Sequence, residues 1–163
     1  DKGAKIGADV PYCILRGTAL AEGIGEVLTP LCLMPPCYIL VAKPGINVST
    51  RYVYKNLDLE KVKNHPDIDG MITAISKGSL TGVTSRMSNV LENVTAGEYP
   101  IIHEIETKMI ELGALSAMMS GSGPSVFGIF EDEKKAQRAY RKLKHTSLVR
   151  QIFLTKPFGR RGK

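Results

Sequence analysis

The chain reads as an α+β domain, an antiparallel-rich sheet with helices packed on one face. Three observations predict it. Short apolar runs at Tyr38–Lys43, Ala114–Met119 and Val126–Phe130 have the length and the bounding turn residues of strands. Apolar residues recur at helical spacing between Pro66 and Leu112. The order along the chain is strands, three helices, a hairpin around a glycine loop, a helix and a last strand.

The elements follow in order. Asp9 stands just before Pro11, which suits the first turn of a short helix. Residues 17–28 read as strand, glycine turn, strand, with Gly23 and Gly25 in the turn. The run Tyr38–Lys43 stops at Pro44-Gly45, so it is a buried strand ending in a turn. Ser49 or Thr50 is placed to cap a short helix through Lys55. Pro66 opens a helix with Ile68, Met71, Ile72 and Ile75 on one face, closed by Gly78. Leu80, Val83, Met87, Val90, Leu91 and Val94 mark a second amphipathic helix. Pro100 starts a third, with Ile101, Ile102, Ile105, Met109 and Leu112 inward and Gly113 as its stop. Asp132 caps a helix carrying Ala136, Ala139, Tyr140 and Leu143, and Val149–Thr155 alternates as a final strand with one solvated side.

Composition narrows the function classes. With 163 residues and 43% hydrophobic content, the chain can bury a core of its own. Aromatic residues make up 6% and Trp is absent, which gives little stacking surface for nucleic acid. The net charge of +6 gathers late, in Lys134–Lys144 and in Lys156–Lys163. It reads as a solvated helix face and a disordered basic tail, with attraction for anionic substrates as a by-product. No apolar run has the length of a membrane helix. Cys13, Cys32 and Cys37 have no zinc spacing and read as buried thiols in a reducing cytosol. The chain opens Asp1-Lys2-Gly3 rather than with Met, as a piece of something longer would.

Two segments can carry chemistry. Met118–Phe130 holds Ser120-Gly121-Ser122-Gly123-Pro124-Ser125 between apolar flanks. Such a loop is either a plain hairpin turn or a cradle whose backbone N–H groups converge on a phosphate. It is neither a Walker loop, a dinucleotide fingerprint nor a serine-hydrolase elbow. Asp9 lies among small and apolar residues. The pattern favours a helix cap; the alternative is a carboxylate facing a reacting hydroxyl. The hydroxyls of Ser49 and Thr50 can likewise cap or point at a ligand. His65 and His103 lie near helix starts with no partner at metal spacing and read as structural; no metal ligand is expected.

Taken together, several segments resemble the GHMP superfamily of small-molecule kinases. These are Gly7-Ala8-Asp9-Val10-Pro11, Gly17-Thr18-Ala19, Glu22–Glu26, Lys43-Pro44-Gly45 with Val48-Ser49-Thr50, Met87–Glu92 and Met119–Gly123. In order and spacing they fit the subfamily of the non-mevalonate isoprenoid pathway that acts on cytidine diphosphate-linked methylerythritol. The resemblance implies a ferredoxin-like GHMP C-terminal domain at 31–155, a remnant of the N-terminal domain at 1–30 and a basic tail at 156–163. It implies transfer of the ATP γ-phosphate to the substrate's 2-hydroxyl, with Asp9 as general base or electrostatic anchor. Gly121, Ser122 and Gly123 would lie beside the site as its glycine loop, and Thr50 matches a substrate-side hydroxyl. Phosphoryl transfer rests on positioning and charge neutralisation, which a loop of N–H donors and one carboxylate suit. The family's catalytic lysine, ATP loop and cytosine-binding residues are not in this sequence. ATP and Mg²⁺ are therefore expected to be held mainly by a missing N-terminal half, and the fragment alone is expected to be inactive. The resemblance further implies a cytoplasmic enzyme, monomer or homodimer, with neither nucleic acid nor membrane as partner. Two rivals stand beside it: a homoserine- or mevalonate-type GHMP kinase, and a non-catalytic α+β binding module.

Overall fold

The computed structural model describes residues 7, 9–58, 60 and 65–159. The opening Asp1-Lys2-Gly3, Ala8 of the Gly7–Pro11 motif and the last part of the basic tail, residues 160–163, lie outside the described residues.

The short helix α1 (Val10–Leu15) and the hairpin β1 (Ala19–Glu22) and β2 (Val27–Pro30) come first. The hairpin turns through Gly23 and Gly25, both at positive φ, and forms a two-stranded antiparallel sheet of its own. Next come β3 (Tyr38–Lys43), α2 (Thr50–Asn56), α3 (Ile68–Ser76), α4 (Leu80–Thr84), α5 (Glu92–Glu98) and α6 (Ile101–Glu111). The chain ends with β4 (Ser116–Met119), β5 (Val126–Phe130), α7 (Glu133–Lys144) and β6 (Gln151–Thr155). The main sheet has the order β4-β5-β3-β6, and every neighbouring pair is antiparallel. Strand, crossover, two hairpin strands, helix and strand in that order form the split βαβ arrangement of ferredoxin-like folds. The α+β expectation with an antiparallel sheet is borne out.

Strand periodicity decides which face is core. Leu40, Ala42, Val126, Gly128 and Phe130 share one side, and all are buried. α6 lays Ile102, Ile105 and Met109 on that side, and α7 adds Ala136, Ala139 and Leu143. Gly128 sets how close α6 can come, since a Cβ there would stand 2.9 Å from Met109 Sδ. Each large aliphatic chain buried here contributes about 2 kcal/mol. The helix limits follow the expected signals: Ser49, Asp67, Ser79 and Asp132 accept capping bonds from backbone N–H groups. Gly78 and Gly113 leave their helices at positive φ.

Two expectations are corrected. The amphipathic stretch from Leu80 to Val94 is not one helix: α4 ends at Thr84 and α5 begins at Glu92. Between them Asn89 accepts the Leu91 N–H and spends its amide elsewhere, which competes with a helical ladder. The cysteines are not uniformly buried either. Cys13 and Cys32 are exposed, because α1 buries none of its residues and Cys32 lies on an open connecting segment. Cys37 is buried, and burial pushes its thiol up. Lys156 and Phe158, at the start of the expected tail, are placed: Lys156 Nζ lies 4.7 Å from the Tyr38 ring centroid and Arg16 stacks over Phe158. No helix among the described residues is long and apolar enough to cross a membrane.

Candidate functional site

The glycine loop joins β4 to β5 and is built as a shaped turn. Ser120 N–H donates to Ser125 O at 2.8 Å, and Gly123 N–H to Ser120 O at 2.9 Å. Gly121 and Gly123 hold φ of 57° and 87°, the left-handed region that favours glycine. The N–H groups of Gly121 and Ser122 meet no acceptor among the described residues, and Gly121 is exposed. Adjacent unspent donors on such a turn form a concavity suited to an anion.

The rest of the molecule grips this loop from one side. Asn89 Nδ2 donates to Met119 O at 2.9 Å and to Gly121 O at 2.8 Å. Thr95 Oγ1, on a side chain only 1% exposed, donates to Ser122 O at 3.1 Å. Glu92 Oε2 accepts the Met119 N–H at 2.8 Å. Carbonyl groups are thus drawn toward α5 and its approach. Across the loop, Thr50 Oγ1 and Ser122 Oγ lie 2.9 Å apart. Ser49 takes the capping role, which leaves the Thr50 hydroxyl free to meet the loop. Of the expected site residues, the structure therefore brings Thr50, Gly121, Ser122 and Gly123 together.

Asp9 is separate. It precedes α1 as the pattern suggested, but its side chain makes no capping bond. Its φ of −84° and ψ of −12° are helical rather than extended, and capping needs the extended form to aim the carboxylate at the N2 and N3 N–H groups. The exposed carboxylate has no partner among the described residues. The cap expected from the pattern is corrected.

Three anchoring residues escaped the sequence. Asn89 and Glu92 lie inside Met87–Glu92, yet nothing in their spacing says that they hold a loop thirty residues on. Thr95 gave no signal at all. His103, read as structural, has its Nδ1 2.8 Å from Glu106 Oε2, one turn along α6, and Glu92 faces both from α5. A cleft of about 580 Å³ lies elsewhere. It opens on the other face of the sheet, over Ile39, Phe127 and Ile129, between α1 and Phe158. Its lining is mainly apolar and it holds no constellation comparable to the loop.

Comparison with known proteins agrees with this architecture. Residues 71–147 match the family model described as GHMP kinases C terminal. The chain is 57% identical to 4-diphosphocytidyl-2-C-methyl-D-erythritol kinase of Lachnospira eligens, over 96% of this chain and 54% of that protein. It is 53% identical to the protein of the same name from Lachnoclostridium phytofermentans, with the same coverage of 96% and 54%. A crystal structure of 4-(cytidine 5'-diphospho)-2C-methyl-D-erythritol kinase superposes with a TM-score of 0.80 at 31% identity, covering 98% of this chain and 58% of that one. Homoserine kinase from Cytophaga hutchinsonii shares the fold at a TM-score of 0.69 and 16% identity, over 91% of this chain and 50% of that one. The chain spans about half the length of the curated relatives it matches. With its split βαβ sheet and its glycine loop between β4 and β5, this chain carries the C-terminal domain of the GHMP kinases.

Proposed function

We propose that this chain is the C-terminal part of an ATP-dependent kinase that phosphorylates the 2-hydroxyl of 4-diphosphocytidyl-2-C-methyl-D-erythritol in non-mevalonate isoprenoid synthesis. The observation that carries the reading is the loop: two unspent N–H donors at Gly121 and Ser122, with the neighbouring carbonyls tied back by Asn89 and Thr95. The names of relatives at 57% and 53% identity supply the substrate. In this reading the loop, with Gly123 shaping its turn, stabilises negative charge on the phosphates, and Thr50 and Ser122 bound the substrate side. Asp9, unspent on its helix, takes the proton of the attacking hydroxyl. The loop carries no carboxylate, and in this reading Mg²⁺ and most of the ATP contacts belong to residues outside this chain, which alone is inactive. The boundary between an N-terminal remnant and the C-terminal domain near residues 30–31 is part of the same proposal. The separate β1–β2 sheet, which ends at Pro30, supports it. Such an enzyme works in the cytoplasm on a small molecule.

The test is ATP turnover by the upstream-extended protein with Mg²⁺ and diphosphocytidyl-methylerythritol. Asp9→Asn should fold normally and lose rate by at least about a hundredfold. Turnover only with homoserine or mevalonate would move the chain to another branch of the family. Turnover with no alcohol would leave a binding module.

A further inference from the structure

Behind the loop, two carboxyl groups and an imidazole converge. Side-chain ligand atoms of Glu92, His103 and Glu106 all lie within 4.8 Å of one another. Glu92, the first residue of α5, holds the Met119 N–H at the foot of the loop. Glu106 on α6 has a side chain only 12% exposed. Its Oε2 faces His103, whereas its Oε1 is buried and meets no hydrogen-bond partner. The Glu106 carboxyl is pushed up to about 7, first by burial and then by the Glu92 charge, with His103 acting in the opposite sense. No other ionisable side chain comes from β4, β5 or the loop, because residues 116–130 contain none. The remaining acid of α5, Glu98, interacts with Tyr52 and Tyr99 instead.

Two carboxylates this close cannot both carry full charge cheaply away from water. One proton between them removes the repulsion and gives the orphaned Oε1 something to do: as a carboxyl it donates to Glu92. We propose that Glu106 is a positioning residue which, by sharing one proton with Glu92, keeps Glu92 on the Met119 N–H and so keeps the Gly121 and Ser122 donors presented to a phosphate. This inference rests on the reading of the loop as a phosphate cradle. Loss of the proton sets the two carboxylates against each other. Glu92, which is only half-buried, then turns outward and the Met119 N–H loses its acceptor. Asn89 still holds the Met119 carbonyl, so the loop loosens without unfolding.

The experiment uses the upstream-extended protein, wild type and Glu106→Gln, from pH 5.5 to 9. Glutamine keeps a donor toward Glu92 and an acceptor toward His103 at every pH. The expected result is a wild-type KM for ATP that climbs above neutral pH by up to tenfold per unit, and a Glu106→Gln KM that stays flat within about twofold. A wild-type climb that persists in Glu106→Gln overturns the proposal. A second readout needs no turnover. A protonated-carboxyl band in the infrared spectrum of the wild type should vanish near neutral pH and be missing from Glu106→Gln. If the band behaves so while no alcohol is phosphorylated, the proton sharing stands and the kinase reading fails. If the band is missing from wild type, the pair does not share a proton and the proposal fails whatever the activity. Stoichiometric Zn²⁺ or Mn²⁺ that raises the melting temperature of wild type but not of Glu106→Gln would make the cluster a metal site and also overturn it.

Discussion

Substituting alanine at the two positive-φ glycines of the loop separates backbone strain from crowding. At Gly121, with φ of 57°, a Cβ meets nothing within 4 Å. Gly121→Ala therefore incurs only the left-handed penalty, about 1–2 kcal/mol, partly offset by a stiffer unfolded chain worth about 0.5 kcal/mol. At Gly123, with φ of 87°, a Cβ would stand 2.6 Å from Met119 Sδ and 3.3 Å from Thr95 Cγ2. Both neighbours are buried, Met119 at 0% and Thr95 at 1% exposure. A methionine bends easily, but this one is wholly enclosed by the core and must displace its neighbours to move, so overpacking adds about 1–3 kcal/mol to the strain. Gly123→Ala should cost about 3 kcal/mol and Gly121→Ala about 1 kcal/mol. Urea unfolding of the two variants measures both, provided the denaturant slope stays constant. A difference below about 1 kcal/mol would refute the claim that the loop is wedged against Met119 and Thr95.

The other predictions concern the same region. A double-mutant cycle of Thr50→Val and Ser122→Ala should give a coupling of about 0.5–1 kcal/mol in stability, the worth of one partly exposed hydroxyl pair, and additivity would mean that the contact contributes nothing. Glu106 gains a proton in the folded state, its carboxyl rising from 4.5 to about 7, so its contribution to stability falls as pH rises between those values and is level above them. Subtracting the Glu106→Gln profile from wild type should leave a decline of about 1–3 kcal/mol across that window, read by thermal unfolding; a flat difference would show that the carboxyl is not perturbed.

Local rules in the sequence reached far into this fold. The runs at Tyr38–Lys43 and Val126–Phe130 gave their strands directly, since short apolar segments bounded by Pro, Gly and Asp have few other uses. Asp132 and Gly113 marked helix ends because capping depends on one or two residues. The break between α4 and α5 was hidden: the apolar period runs on through Met87 and Val90, while the reason for the break, the Asn89 amide on a loop far along the chain, is a tertiary contact. Asp9 failed as a cap for a backbone reason that no side-chain pattern records. Of the candidate site, Thr50, Gly121, Ser122 and Gly123 were named through resemblance. Thr95 and the Glu92–Glu106 approach were not, because they depend on how α5 and α6 lie against β4.

The place of β3 in the sheet has a consequence for synthesis of the chain. Leu40 pairs with Gly128 on one side and with Leu154 on the other, so this central strand has no sheet neighbour near it in sequence. While a ribosome is still making residues 44–125, neither sheet partner of Tyr38–Lys43 has been made, so both its edges are bare. Closing such long loops costs entropy before any pairing repays it, so the sheet zips late and slowly. A nascent chain stalled after β5 would still carry one open β3 edge, an apolar template for aggregation until the last strand arrives to cover it.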